Sequence, residues 1–321
     1  MPFDFDAAVS APFRMQPGLR RLAAGAPQLT PLAPGSRHQR EKLAVLSAFA
    51  PLALCSRDGF DAAPALHALA AHAASEHPQA FAWDGRRAMA LGTAVNGDEV
   101  QHEAAGPFGL GDEIARCLRT LPPAWRLAGL LSLTFAEDLA LLDARDTTLP
   151  WLAVALPSHW APETKVGLPL AEVHAPVADA QLLQRATAHL VQLVSGQVHA
   201  DARWERFVWT ITGHSRLHAH PAHLDPRRWP PDIATTWPAG AWWRTERQTF
   251  LPLPAQGLAV FMIGVEVQPL AAAIHSPARA AALHAAVASM SAAVLAYRQL
   301  TAVRAPLLTW LAALAAGGAA R

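Results

Sequence analysis

The spacing of apolar positions predicts helices near both ends of the chain. From Arg37 to Phe49 the apolar residues recur at helical intervals, with Leu43, Val45 and Leu46 on one side. An Asp at position 58 or 61 is placed to cap a second helix, because its carboxylate accepts hydrogen bonds from free backbone N–H groups. Helices are expected over residues 37–49, 64–74, 113–121, 181–194, 277–300 and 305–315.

Strand-like patterns occupy the middle of the chain. The run from Trp204 to Thr212 is aromatic and β-branched, which is typical of a strand. Two further runs, 242–250 and 257–267, predict a hairpin around Pro252 to Gln256. Strands are also expected over residues 81–83, 87–91, 127–135, 138–142 and 151–156.

This order of elements predicts an α+β fold, with a largely antiparallel central sheet flanked by helices. We expect one domain over residues 1–321, with an irregular, Pro- and Gly-rich arm over 1–35 and C-terminal helices over 277–321. The polar, Pro-rich segment from His214 to Trp237 reads as a long loop, and such loops inside a domain are usually functional or mobile.

Composition narrows the class of protein. Hydrophobic residues make up 52% of the chain and charged residues 16%, so a sizeable core is easily built. The net charge of +1 argues against a nucleic-acid partner held by phosphate neutralisation. Two cysteines, Cys55 and Cys117, form no CxxC motif, and a reduced, cytoplasmic chain is expected. The acidic N-terminus is unlike a signal peptide, and the apolar run 305–316 is too short to span a bilayer, so no membrane partner is expected.

Two sequence blocks carry a family resemblance. The first runs from Leu156 to Val177 and contains the pattern Pro-Ser-x-Trp-x-Pro-x-x-Lys-x-Gly, followed by His174 and Pro176-Val177. The second is the Arg-Thr-Glu-Arg-Gln-Thr run at 244–249, followed by Leu-Pro at 253–254 and a strand at 260–263. Together they resemble the haem-dependent oxidative N-demethylase family. Weaker echoes lie at Phe13 to Met15, Gly18-Leu19, Glu137-Asp138, Arg206 to Trp209, and Tyr297.

The resemblance implies a PAS-like fold and a haem-dependent oxidoreductase. The implied reaction is monooxygenase-type N-demethylation of a small methylated amine with O2, releasing formaldehyde. The implied cofactor is haem b, because no Cys-x-x-Cys-His is present for covalent attachment. The chain shows no nicotinamide or flavin fingerprint, and two cysteines cannot build a four-thiolate cluster. Electrons are therefore expected from a separate donor, NADPH through a reductase or a ferredoxin-like partner.

Two other functions stay open from the residues alone. One is a non-catalytic haem or small-ligand sensor of PAS-like fold. The other is a non-haem metal protein built on His214, His218, His220 and His223, since His-x-His on a strand places two rings on one face. Here the pair lies in a Pro-rich loop, for which an ordinary solvated loop is the simpler interpretation.

Candidate site residues follow from the two blocks. His174 is the predicted axial ligand to iron, with a core or loop histidine as the alternative. Trp160, Lys165 and Arg206 are predicted cofactor contacts, the two cations toward haem propionates, although each is also an ordinary core or surface residue type. Glu246 and Arg247 are the predicted catalytic pair.

Adjacent strand residues face opposite sides of a sheet, so only one of Glu246 and Arg247 can point into a given pocket. Glu246 would suit a cationic amine and Arg247 a propionate, while a cross-strand salt bridge is the alternative for both. The chain departs from the family pattern at two positions: it has Gly264 where an Arg is expected and Glu266 where a Tyr is expected. If those two positions line the pocket, the substrate or the activity differs.

Overall fold

A seven-stranded antiparallel sheet forms the centre of the structure. The computed structural model describes residues 3–106, 109–175, 177–179, 181–225 and 229–317. In these ranges the strands are β1 (Arg20–Arg21), β2 (Leu54–Ser56), β3 (Ala82–Trp83), β4 (Arg87–Ala90), β5 (Thr93–Asn96), β6 (Glu99–His102), β7 (Glu137–Asp143), β8 (Trp151–Ala153), β9 (Trp204–Thr212), β10 (Trp242–Leu253) and β11 (Leu258–Pro269). The large sheet has the order β1-β9-β10-β11-β7-β8-β2, and β3 to β6 form a separate four-stranded meander.

The long β10–β11 hairpin organises the sheet. Its twelve residue pairs run from Trp242↔Pro269 to Leu253↔Leu258, and the strands are joined by a short turn that ends at Gly257 with φ +65°. Glycine has no Cβ, so it adopts this left-handed conformation without the steric cost of other residues. The rings of Phe250 and Phe261 stack with centroids 4.7 Å apart across the hairpin. The predicted hairpin is confirmed.

The register assigns side chains to two faces, because successive residues alternate and directly paired residues share a side. On the first face, β10 presents its even positions, with Gln248 paired to Arg206 on one side and to Ile263 on the other. On the second face, Arg247 is paired to Gly264, and Thr245 to Glu266. We call these the cavity face and the rear face.

Helices cover both faces. They are α1 (Phe5–Ala8), α2 (Arg37–Ala48), α3 (Ala50–Ala53), α4 (Ala63–Glu76), α5 (Glu113–Thr120), α6 (Arg126–Thr134), α7 (Leu170–Val173), α8 (Gln181–Val194), α9 (Ile233–Thr236), α10 (Leu270–Ala273), α11 (Pro277–Ala288), α12 (Ala292–Tyr297) and α13 (Arg304–Ala315). Helices α2, α4 and α6 pack on the middle of the rear face, and α11 to α13 pack on Trp209 and Trp243. Helix α8 packs on the cavity face through Val191 and Val194. The prediction of an α+β fold with a large antiparallel sheet flanked by helices is confirmed.

One predicted strand is wrong. The run Leu127–Phe135 was expected to be extended, but it lies almost wholly in helix α6. Every residue of this helix from Ala128 to Thr134 is buried. Because no side of the helix faces water, its apolar residues do not recur at helical intervals. A continuous apolar run cannot be assigned to strand or helix from its periodicity alone.

Other differences are smaller. The C-terminal run 277–300 is divided into α11 and α12, and Ser291 caps the second of these by accepting from the backbone N of Val294. The arm over 1–35 contains α1 and the two-residue strand β1. None of the helices in the described ranges is long and apolar enough to cross a bilayer.

Candidate functional site

A cavity of about 720 Å³ lies against the cavity face of the sheet. This volume falls within the range of roughly 300–1,000 Å³ that ligand pockets occupy. Its walls come from β9 to β11, the 158–177 segment and α8. The N-terminal arm adds Met15, Pro17 and Leu19, and the C-terminal end of α12 adds Tyr297 and Arg298.

Five of the six predicted site residues line this one cavity. They are separated by up to 86 positions in the chain, and the antiparallel sheet together with the 158–177 segment brings them together. The five are Trp160, Lys165, His174, Arg206 and Glu246. Arg247, the sixth, is not among the lining residues.

His174 is held in one orientation at the end of helix α7. Its Nδ1 lies 2.7 Å from the backbone oxygen of Leu170, an acceptor, so Nδ1 carries the proton and Nε2 has the lone pair. Burial lowers the pKa of this imidazole; the Leu170 hydrogen bond opposes that shift, and Arg206 and Lys165 add to it. The ring is therefore biased to the neutral form. A neutral imidazole whose second nitrogen is tied to a carbonyl is the usual state of a histidine that ligates a metal.

Two cations lie near this histidine. Arg206 lines the cavity from β9, and burial lowers the pKa of its guanidinium while the charge of Glu246 raises it. The Nε of Arg206 is buried and has no hydrogen-bond partner among the described residues. Lys165 places its Nζ 3.5 Å from the backbone oxygen of Val173, a long contact. A buried guanidinium with an unused donor can bind an anion that enters the cavity.

Glu246 is the carboxylate of the cavity. Its Oε2 accepts a hydrogen bond of 2.6 Å from the Nε2 of Gln248, the next residue on the same face of β10. It lies within electrostatic range of Arg206 and Arg244, and it also raises the pKa of Tyr297. The carboxylate is thus oriented by a neutral amide and balanced by neighbouring cations.

Arg247 lies on the rear face, away from the cavity, because strand residues alternate. Its Nε donates to Oε2 of the buried Glu205 at 3.1 Å. The other oxygen of Glu205 accepts from Arg20, which also bonds Asp4 at 2.6 Å. The structure therefore does not bring Arg247 to the site that holds Glu246. It places Arg247 in a cross-strand ion pair that holds the N-terminal arm to the sheet.

The two departures from the family pattern are on the same rear face. Gly264 is paired to Arg247 and Glu266 to Thr245, and neither lines the cavity. These two departures from the family pattern therefore do not change the lining of the cavity.

Three groups of residues at the cavity were not among the predicted cofactor or substrate contacts, although the sequence marked His214 as a candidate metal ligand and Tyr297 as a family echo. Arg244 is fully buried and donates five hydrogen bonds of 2.7 to 3.1 Å. The acceptors are the Ser158 hydroxyl and the backbone oxygens of Leu156, Pro157, Arg216 and Leu217. Arg244 therefore clamps the 156–158 segment to the 216–217 segment. The alternation that points Glu246 into the cavity also points Arg244 there, and this signal was available in the sequence.

The second group is a pair of histidines. The Nε2 atoms of His159 and His214, both lining the cavity, lie 3.0 Å apart. His159 occupies a variable position of the Pro-Ser-x-Trp pattern, so the motif itself gave no reason to choose it. The third group, Tyr297 and Arg298, comes from the C-terminal end of α12. The sequence pattern had placed both residues inside one helix over 277–300.

The other loop histidines form contacts outside the cavity. His218 and His223 approach to 2.8 Å between Nε2 and Nδ1, and His220 lies 3.1 Å from the carboxylate of Glu163. Among the described residues no group of three or more His, Cys, Asp or Glu is placed to hold a metal ion. Residues 226–228 of the predicted 214–237 loop lie outside the described ranges.

A comparison with protein-family models shows the family to which the chain belongs. The model described as haem-dependent oxidative N-demethylase, alpha subunit-like, matches residues 59–308, most of the chain. The chain belongs to this haem-dependent oxidative N-demethylase family. No curated protein gives a significant match.

The donor set of this N-demethylase-family chain fits a haem. Haem presents an apolar macrocycle, two carboxylates and an iron that needs an axial ligand. The cavity offers apolar walls, the cations Arg206 and Lys165, and the neutral imidazole of His174. The unpartnered Nε of Arg206 is the observation that most directly calls for an anionic group. The family match covers all of these residues, whereas the arm residues that line the cavity lie before it.

Proposed function

We propose that the chain is a haem-dependent enzyme that removes a methyl group from a small methylated amine with O2. In balance, the N-methyl amine, O2, two electrons and two protons give the shorter amine, formaldehyde and water. The observation that carries the proposal is His174. It lines a family-matched cavity in its neutral form, with Nδ1 bonded to Leu170 and with Arg206 and Lys165 in electrostatic range.

In this proposal each cofactor residue has one task. His174 would hold the iron of a b-type haem through Nε2. Arg206 and Lys165 bind the propionates, and Trp160 contributes to the wall around the macrocycle. When bound, the haem supplies the activation of O2 and the oxidation of the N-methyl C–H bond.

Glu246 holds the substrate in this scheme. Its carboxylate pairs with the ammonium of the amine, and Gln248 fixes the direction in which its oxygens point. The apolar walls exclude water from this contact, which strengthens it relative to an exposed ion pair.

Electrons come from outside the chain in this proposal. The family is described as alpha subunit-like, which supports a system with more than one component. We propose NADPH acting through a reductase or ferredoxin-like partner as the donor, and the cytoplasm as the compartment. We also propose that the antiparallel sheet, with its ligand cavity on one helix-covered face, is PAS-like.

The sensor function is the alternative that the test must separate. Its main support was the altered pattern at Gly264 and Glu266, and both residues face away from the cavity. The purified protein should show a Soret band, and the protein supplied with NADPH, a ferredoxin and its reductase, O2 and dimethylamine should release formaldehyde. A Soret band without formaldehyde would favour the sensor, and the absence of haem binding would contradict both.

A further inference from the structure

We propose that His159 and His214 form the proton donor of the cavity, a role that rests on the oxidative demethylation proposed above. That reaction consumes two protons for each amine, because one oxygen atom of O2 leaves as water. A cavity with largely apolar walls needs a group that delivers these protons.

The geometry of the pair points to a proton held between two imidazoles. The Nε2 atoms lie 3.0 Å apart, and the ring centroids are 5.2 Å apart. For this contact to be a hydrogen bond, one Nε2 must carry a proton and the other must accept it. The two rings are therefore complementary at Nε2, where one carries the hydrogen and the other a lone pair, and the lone pair stabilises a proton held by its neighbour.

Several separate interactions fix this contact. His159 has a left-handed backbone with φ +65°, which histidine tolerates better than most residues, and its N–H donates to the backbone oxygen of Ala219 at 3.0 Å. The Thr212 hydroxyl donates to the backbone oxygen of His214 at 2.8 Å. Arg244 ties together the two segments that carry the rings, next to the bridge between Ser158 and Ala219. Backbone strain of this kind persists where the surroundings enforce it, often at functional sites.

The other titratable groups of the cavity are less suited to the task. His174 has its Nδ1 proton bonded to Leu170, and Glu246 is assigned to the ammonium. Burial raises the pKa of the Tyr297 hydroxyl above its ordinary value of 10, which makes it a poor donor near neutrality. Imidazole is the side chain whose ordinary pKa suits proton transfer at neutral pH.

The proposed step moves one proton at a time. The donor is one ring of the pair in its imidazolium form: one of its N–H bonds breaks, which leaves a neutral imidazole, and an O–H bond forms on the oxygen atom that leaves as water. The electrons come from the external donor and not from the histidines. Water in the open part of the cavity then returns a proton to the neutral ring, which donates the second proton by the same route.

The experiment compares three Asn variants of the full chain with the wild type. His159→Asn and His214→Asn each remove one ring of the pair, and Asn also tolerates the left-handed backbone of position 159. His218→Asn is the matched control, because it removes another His–His contact from the same loop without touching the cavity. Each protein, loaded with haem, is supplied with NADPH, an excess of a ferredoxin and its reductase, O2 and dimethylamine, and the rate of formaldehyde formation is measured.

We expect haem content and dimethylamine affinity within about twofold of wild type in all three variants. Formaldehyde formation should slow by roughly 100-fold in the two cavity variants, the lower end of general-acid effects, but not in His218→Asn. A readout independent of turnover is the ring-nitrogen NMR spectrum of histidine-labelled protein. There, His159→Asn should shift the His214 resonances, and His214→Asn should shift those of His159.

The outcomes separate the two proposals. No formaldehyde from haem-loaded wild type would overturn the demethylase function and the proton donor with it. Normal turnover in wild type, with cavity variants no slower than His218→Asn, would overturn the proton donor alone. If the ring resonances of His214 did not shift in His159→Asn, the proton-donor proposal would also be overturned, because the contact between the two rings would then be absent in solution.

Discussion

Glu246 and Arg247 are adjacent in the chain, yet one lies on the cavity and the other behind the sheet. The alternation of strand residues places them there, and the same rule places Arg244 and Gln248 beside Glu246. Of these two neighbouring charges, the Glu246 carboxylate lies at the cavity, and the Arg247 guanidinium forms an ion pair with Glu205 behind the sheet.

At this residue scale, the first prediction concerns Glu246→Gln. The variant should bind dimethylamine about 10- to 100-fold more weakly, because a charge-assisted hydrogen bond is worth about 1.5–3 kcal/mol. Haem content should be unchanged. Amine binding is measured by titration of the haem spectrum, and Glu266→Gln, a carboxylate on the neighbouring strand but the opposite face, is the control. Parallel loss of haem and amine affinity would assign Glu246 a structural role.

The second prediction is that His174→Ala loses haem. Replacing a ligand should cost at least the roughly 10–100-fold in affinity that follows loss of a ligand's hydrogen-bond partner. The circular dichroism spectrum should be retained. His189→Ala, an exposed position in α8, should keep full haem content. An unchanged Soret band and haem stoichiometry in His174→Ala would refute the assignment and turn attention to His214, which also lines the cavity.

Residues that lie in a recognisable motif could be predicted from the sequence. Residues whose importance comes from a contact in the folded chain could not. His174 and Glu246 stand in recognisable blocks, so their presence at one cavity could be anticipated. His159 fills an unspecified motif position, and its value comes from His214, 55 residues later in the chain. No periodicity or spacing encodes a contact of that kind.

At the scale of elements, strand β10 lines the cavity with one side and carries an ion pair to the N-terminal arm on the other. Its rear side bears Arg247, which pairs with Glu205, and Glu205 in turn pairs with Arg20 from the arm. The strand thus connects the cavity to the segment that closes it.

The third prediction follows from this anchor. Arg247→Met should lower the free energy of unfolding by about 1–3 kcal/mol, because a charge-assisted bond to Glu205 is lost while Arg20 still partners that carboxylate. Urea denaturation measures the change. Haem content and amine affinity should stay at wild-type levels. A variant of normal stability that fails to retain haem would instead place Arg247 at a propionate.

Element prediction succeeded where one face of an element is polar. Helix α2 and the β10–β11 hairpin have a solvated or mixed side, and their periods gave nearly correct bounds. Helix α6 is buried on all sides, so its sequence lacks the contrast from which a period is read. The short strands β2, β5 and β6 were not predicted, although β3, β4 and β8, which are no longer, were.

At the scale of the whole molecule, the proposed scheme takes its electrons from outside the chain. The fourth prediction is that isolated protein, loaded with haem, oxidises NADPH only at background rate with dimethylamine and O2. Absorbance at the nicotinamide band measures the rate. Addition of a ferredoxin and its reductase should raise it, with boiled reductase as the control. Rapid NADPH oxidation by the chain alone would contradict the need for a partner.

The walls of the cavity draw on residues from Met15 to Gln299. During synthesis on a ribosome, Tyr297, at the end of α12, and Arg298 emerge long after the arm and the sheet. The enclosure is therefore incomplete until residue 299 has left the exit tunnel. A small molecule that needs all of these walls is captured only after that point in synthesis.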